Sequence, residues 1–325
     1  MCYSAQLWAD YRKYVREFRA KVSISAFKDL FFKKAQGAKL LVPRGMELAF
    51  ANPQSDEERE VWELIRQCRK NEALVYEKQL FEQRTRLADA ERKIAAKPDK
   101  PNKGAHEEVR IANNKIKWNQ AKIADINRMT PVESDSRIFP GWYAPAMAMV
   151  DGELTVMPMR YRCRPARATP MYDEEYPGTF NARRDSLEKF WRGEWGQTHA
   201  IMMVDWFYEH VNLHEAEGRE LRPGEEPTDI VIQFKPDYGK TMMVACLWAH
   251  WKARNETEEG LLSVAFITDE PPEEVRNAGH DRCVIPLRQE NLQAWLNPDV
   301  NDLPAQQAIL DDRERPYYQH YLEAA

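Results

Sequence analysis

Along the first third of the chain, hydrophobic positions recur at helical spacing. Tyr11, Val15, Phe18 and Val22 predict helix within residues 6–36, where Ser25 can cap a short second helix ending near Gly37. A brief apolar stretch, Leu40-Leu41-Val42, and a Pro-containing loop follow. Ser55-Asp56-Glu57-Glu58 then has the form of a capping box, with Ser55 as N-cap and Glu58 three residues on. It should start a long charged helix that runs to about Ala96, with Val61, Leu64, Ile65, Cys68, Val75, Phe81, Leu87 and Ile94 as apolar positions. The Pro/Gly-containing segment 97–104 breaks the pattern. A second helix carries Val109, Ala112, Ile116, Ile123 and Ile126 near a heptad, with Asn119 at a seam position. The two predict an antiparallel helical hairpin over 55–130, read either as a partner-binding arm or as an insertion that packs on itself.

From about residue 137 the period changes. Ala146–Val150, Asp151-Gly152 and Glu153–Met157 predict a β-hairpin with a DG turn. Further strands are expected over 200–208, 229–234, 242–248, 262–268 and 283–287, with helical pieces over 184–195, 271–278, 289–296 and 304–311. Without regular βαβ alternation or a glycine-rich phosphate loop, the expected class is α+β, a mixed or barrel-like sheet carrying the inserted hairpin. The domain reading is 1–54 and 131–325 as one sheet-based domain, with 55–130 inserted.

Composition narrows the function classes. Among 325 residues, 43% hydrophobic content and ten tryptophans argue for a folded protein, and a net charge of -5 excludes a chain that is basic throughout. Any nucleic-acid contact must come from a local patch. The cysteines Cys2, Cys68, Cys163, Cys246 and Cys283 are odd in number and lack CxxC spacing, which argues against a disulfide framework or a structural zinc site. No apolar run reaches the roughly 18 residues of a membrane span, and the polar, aromatic start has no signal-peptide form. The expectation is a cytoplasmic protein, nucleoid-associated if bacterial.

Candidate chemistry begins at Cys2. Once Met1 is removed, a thiol and an α-amine stand on one Cα, with reference pKa values of about 8.5 and about 7.7–8.0. Arg160, Arg162, Arg164 and Arg167 form a dense basic patch, followed by Arg183 and Arg184, although Asp173-Glu174-Glu175 lies near enough to neutralise it. Asn181 reads as a turn residue or cap, Glu209 as a carboxylate ending an apolar strand, and His280 as a loop histidine beside Asp281 and Arg282.

Taken together, Met-Cys at the start, Asn181-Ala182-Arg183, Trp206-Phe207-Tyr208-Glu209 and His280-Asp281-Arg282 resemble the SRAP family, the SOS response-associated peptidases. The family includes proteins that crosslink to abasic sites in single-stranded DNA. The resemblance covers residues 1–5 and about 139–296, with roughly 6–135 standing as an insertion. It implies Cys2 as nucleophile and attachment point, Asn181 as the residue positioning substrate, and Glu209 and His280 as catalytic groups. It also implies Arg183 and Arg282 as DNA contacts, removal of Met1, and no cofactor or metal. In this chain Tyr3 and Ser4 replace the family's usual glycine and arginine, and His210 replaces a tryptophan. Tyr161-Arg162-Cys163-Arg164-Pro165 stands where the family has Trp-Gly-Leu-x-Pro, and Cys283-Val284 replaces Met-Pro.

The implied activity is crosslinking, with possible lyase character, to single-stranded DNA bearing abasic sites, and the hairpin 55–130 is a candidate site for a protein partner. Two alternatives stay open. One is another N-terminal-cysteine hydrolase acting on a small amide; the other is a non-catalytic repair scaffold working through the hairpin.

Overall fold

The computed structural model describes residues 3–98, 102–169, 171–252 and 260–323. The chain divides into two compact units. One consists of Met1–Phe27, Leu40–Asn52 and Val132–Ala325, the other of Lys28–Lys39 and Pro53–Pro131.

The first unit is built on one mixed, mostly antiparallel sheet of twelve strands. In chain order these are β1 (Ser4–Leu7), β2 (Lys21–Val22), β3 (Arg137–Ile138), β4 (Tyr143–Val150), β5 (Glu153–Tyr161) and β6 (Asn181–Arg183). They continue as β7 (His199–Asn212), β8 (Asp229–Pro236), β9 (Met242–Trp251), β10 (Leu261–Asp269), β11 (Cys283–Val284) and β12 (Tyr318–Leu322). The β4–β5 hairpin turns at Asp151 and Gly152, both at positive φ, as a DG turn of the mirror-image kind requires.

β7 organises the sheet. Its first half pairs with β4 and β9, and its second half with β1 and β8. The path β7–β4–β5–β10–β9 returns to β7, so five strands close on themselves. The closure is barrel-like without being a clean barrel, because β5 and β10 meet in parallel over only two residue pairs. Small residues allow this curvature: Ala144, Ala146, Ala148, Ala200, Ala245 and Ala265 are all fully buried.

Two expectations need correction. Residues 6–36 are not simply helical. They form β1, a helix α1 (Tyr11–Phe18), β2 and a helix α2 (Ile24–Ala35). All four residues of β1 are buried and show no period, so pairing with β3 and β7 makes them a strand. α1 starts where Asp10 accepts a hydrogen bond from the Arg12 N–H, and ends where Arg19 turns left-handed (φ 54°) and donates to the Val15 carbonyl. Residues 184–195 form a short 3-10 helix, Arg184–Ser186, and then separate turns rather than one helix. The Phe190 and Trp191 N–H groups share the Ser186 carbonyl, and Gly193 and Gly196 weaken any continuous ladder. After the short helix α3 (Arg44–Leu48), the remaining expected elements occur with ends shifted by a few residues.

In the second unit, α4 (Asp56–Ala95) starts with the Ser55 hydroxyl accepting from the Glu58 N–H, and α5 (Lys103–Asn127) is capped by Asn102. Contacts Lys93–Glu108, Tyr76–Trp118 and Arg69–Met129 pair rising with falling numbers, so the helices are antiparallel. The break between them falls partly at residues 99–101, outside the described residues. On α5, Ala105, Ala112, Asn119 and Ile126 are buried at seven-residue intervals, while Val109, Ile116 and Ile123 are half-buried between them. Asn119 donates to the Lys115 carbonyl at 2.8 Å. No helix among the described residues is long and apolar enough to cross a membrane.

Candidate active site

Glu209 lies within β7, not at its end. Its neighbour Tyr208 pairs with Ser4 on one side, while Glu209 itself pairs with Ile232 on the other. Ladder partners on both edges and a folded core behind them leave its carboxyl with 0% exposure, unlike the solvated strand-end group its sequence context suggests. Burial drives the Glu209 pKa well above its ordinary 4.5, which favours the proton-bearing form of the carboxyl.

His280 comes to Glu209 from the loop after the short helix Glu273–Asn277. Gly279, at φ +92°, turns the chain there, and a Cβ at that position would stand 3.1 Å from the Glu215 Cβ. The His280 Nε2 is 3.3 Å from the Glu209 Oε2. Its Nδ1 is 2.8 Å from the Arg282 carbonyl, which requires the proton on Nδ1 and leaves Nε2 as an acceptor facing Glu209. Burial lowers the His280 pKa to about 4. Burial thus disfavours charge on both partners, an arrangement suited to passing a proton without building net charge.

The Tyr3 backbone N–H donates to the same Glu209 oxygen at 3.2 Å, and also approaches the Tyr208 carbonyl at 3.3 Å. The peptide nitrogen that follows Cys2 in the chain is thus bonded to the buried acid. Cys2 itself lies outside the described residues.

Asn181 arrives through β10. β6 runs parallel to β10 with Asn181 opposite Phe266 and Arg183 opposite Thr268, and β11, which follows the His280 loop, pairs with Thr268 and Asp269. The strand of Asn181 and the loop of His280 thus converge on the C-terminal end of one strand. Asn181 is buried, with 6% exposure. Asp185 links the two arginines of these segments, at 2.7 Å from Arg183 and 3.8 Å from Arg282. A cleft of about 1010 Å³ opens beside His280, lined among others by Arg183, Arg219, Arg276 and Arg282, with Asp185, Glu215 and Glu270 interleaved.

The expected basic patch is arranged differently. Arg160 reaches both carboxylate oxygens of Asp173 at 2.7 and 3.0 Å, Arg164 reaches one of them at 2.5 Å, and Arg162 donates to the Asp173 carbonyl. The three side chains in the ion pairs are only 14–16% exposed. Burial raises the Asp173 pKa, but the hydrogen bonds from Arg160 and Arg164 outweigh it and hold the carboxyl below its usual range. Arg164 also lies over the Trp251 ring, 4.7 Å from its centroid. Arg160, Arg162 and Arg164 are held inward by one aspartate, while Arg167 is exposed. No sequence spacing marks Asp173 as the group that gathers them.

Sequence reasoning also missed Arg137. Its guanidinium donates to the Ser4 hydroxyl at 3.0 and 3.1 Å, pairs with Glu323, and lies 3.7 Å from the Tyr208 ring centroid. Nothing local in the sequence marks it. The four described thiols, Cys68, Cys163, Cys246 and Cys283, are buried and unbridged, and burial raises the pKa of the last three, Cys283 to about 12. Among the described residues no three His, Cys, Asp or Glu side chains stand close enough to hold a metal ion.

Several solved structures match part of the chain. A Bordetella bronchiseptica protein is 18% identical over 58% of this chain and 88% of its own, with a TM-score of 0.45. A Bacteroides thetaiotaomicron protein is 16% identical over 58% and 78%, with a TM-score of 0.45. A phage-related protein from Bordetella bronchiseptica is 18% identical over 63% and 89%, with a TM-score of 0.44. No curated protein matches the sequence. Residues 91–323, well over half of the chain, match the family described as SOS response associated peptidase (SRAP), and the chain belongs to that family.

Proposed function

We propose that this chain, within the SOS response-associated peptidase role its family carries, attaches covalently to abasic sites in single-stranded DNA through Cys2. The observation that carries this reading is the contact of His280 Nε2 with Glu209 Oε2 at 3.3 Å, where the same oxygen accepts the Tyr3 N–H at 3.2 Å. A buried acid whose pKa is raised and a histidine whose pKa is lowered stand one peptide unit from a cysteine that becomes N-terminal when Met1 is removed.

The chemistry follows from those groups. The α-amine of Cys2 adds to the open-chain aldehyde of the sugar to give a carbinolamine. Glu209, whose raised pKa favours its proton-bearing form, gives a proton to the departing hydroxyl, and water leaves as the protonated Schiff base forms. The Cys2 thiol releases its proton to solvent, and the thiolate adds to the iminium carbon, closing the neutral five-membered thiazolidine. His280 returns a proton to Glu209 from solvent or acts on the leaving sugar oxygen. Asn181 orients the sugar or its phosphate, and Arg183 and Arg282, beside the cleft, hold the strand. The same four residues, Cys2, Asn181, Glu209 and His280, serve the release of Met1.

The test is direct. Wild-type protein incubated with a single-stranded oligonucleotide carrying one abasic site is expected to give an adduct that survives denaturation, and its intact mass should lack Met1. No adduct with wild type, or an equal yield with Cys2→Ala, refutes the proposal.

A further inference from the structure

On the helical unit, a groove of about 420 Å³ lies along α4 at the point where α5 ends and the chain turns away. Trp62, Arg66, Arg69, Ala73 and Glu77 line it at three- and four-residue steps, so they share one face of α4 over about 22 Å. Ile126, Asn127 and Met129 form its other side.

The groove joins open apolar surface to positive charge. Leu74 and Met129 in its lining are each 51% exposed, and Trp62 is half-buried. Arg69 belongs to the buried residues of α4, with its guanidinium 5.1 Å from the Trp62 ring centroid and its Nη1 3.4 Å from the Met129 Sδ. A cation is thereby fixed on the groove floor between two apolar side chains. Arg66 pairs with Glu63 at 2.8 Å, but both side chains are more than half exposed, and such a pair exchanges partners at little cost. Lys70 is exposed. Of the charged lining residues, three are cations and Glu77 is the acid, in a chain whose net charge is -5.

Each simple occupant fails on one of these features. Nucleic-acid phosphate would meet the cations and leave Trp62, Leu74 and Met129 facing water. A wholly apolar helix would cover Arg66 and Lys70 without giving them partners. The same groove on a second copy would set cations against cations. A peptide with one acidic and one apolar face satisfies both the charge and the apolar area, as in helix-in-groove recognition.

We infer that this groove docks an acidic amphipathic segment of a partner protein. Its apolar side chains lie against Trp62, Leu74 and Met129, and its carboxylates meet Arg66, Arg69 and Lys70. The site shares no residue with the Cys2 chemistry and stands independently of it.

The experiment is fluorescence anisotropy of the full-length protein with a labelled helical peptide carrying Asp and Glu on one face and Leu and Phe on the other. Wild type should bind it saturably, and the same peptide with Lys in place of its acids should not bind. The double variant Arg66→Glu/Lys70→Glu is expected to lose at least about tenfold in affinity, and Leu74→Ser to lose part of it. These positions are exposed, so helical circular dichroism should be unchanged. Phe81→Ser, on α4 but outside the groove and 72% exposed, should bind like wild type. No binding by wild type, unchanged binding in both groove variants, or an equal loss in Phe81→Ser overturns the site. So does a groove variant that keeps the peptide and loses an undamaged single-stranded oligonucleotide or a self-associated state. The double variant should crosslink abasic DNA at the wild-type yield. Wild type that binds the peptide but forms no adduct refutes only the crosslinking chemistry.

Discussion

Replacing Asp173 with asparagine should move stability and DNA binding in opposite directions. The aspartate accepts from both Arg160 and Arg164, and the three charged side chains are only 14–16% exposed. Removing one partner of a buried ion pair costs about 3–5 kcal/mol, because the remaining charge is left desolvated. Here the arginines keep some access to water, and Arg164 keeps its contact with Trp251, so about 2–3 kcal/mol is the expected loss. For a unit of this size that corresponds to a fall in Tm of roughly 5–10 °C. The same change frees two guanidiniums. If both reach phosphate, the slope of log binding constant against log salt for single-stranded DNA should steepen by about 1.4, at about 0.7 for each contact. Thermal unfolding and salt-dependent fluorescence anisotropy read the two effects. If Asp173→Asn leaves both Tm and salt slope unchanged, Asp173 is not what holds the patch inward. If stability falls while the slope stays fixed, these arginines are structural and lie away from the DNA path.

Further outcomes follow from buried polar groups. Folded Glu209 keeps its proton above pH 4.5, where the unfolded carboxyl has lost it, so rising pH erodes stability through this group until the raised folded pKa is passed. Glu209→Gln cannot ionise, and its stability relative to wild type should grow with pH by at most about 1.4 kcal/mol per unit, as urea titrations at several pH values would show. The same variant should slow crosslinking by about 10²–10⁴-fold, and a rate within twofold of wild type would remove Glu209 from the mechanism. His280 has the opposite sign: its folded pKa of about 4 lies below the ordinary 6.5, so its contribution is intact above 6.5 and is lost as pH falls towards 4. In the helical unit, the Asn119 Oδ1 is buried with no hydrogen-bond partner, so Asn119→Leu should raise the stability of the hairpin by about 1–2 kcal/mol. Denaturation followed by helical circular dichroism tests this, and a destabilised variant would show that the amide fixes the register of the pair.

The sequence by itself determined what depends on near neighbours. Ser55 and Glu58 mark the start of α4 because a cap bond spans three residues, and the seven-residue spacing around Asn119 marks the α5 seam because helix geometry repeats along the chain. Asp151-Gly152 identifies the β4–β5 turn because its two residues must take positive φ. The SRAP resemblance of Asn181, Glu209 and His280 was legible too, as short motifs in order. Tertiary structure alone decided what depends on distant partners. β1 has no periodic signal and becomes a strand only between β3 and β7. The raised pKa of Glu209 and the lowered pKa of His280 come from burial, and the two side chains meet across 71 positions of chain. Whether an arginine faces solvent or an aspartate depends on where Asp173 falls in space, which composition cannot express. The contact of Arg137 with Ser4 is likewise made by strands that meet only after folding, so the groups nearest the candidate chemistry were the least visible in the sequence.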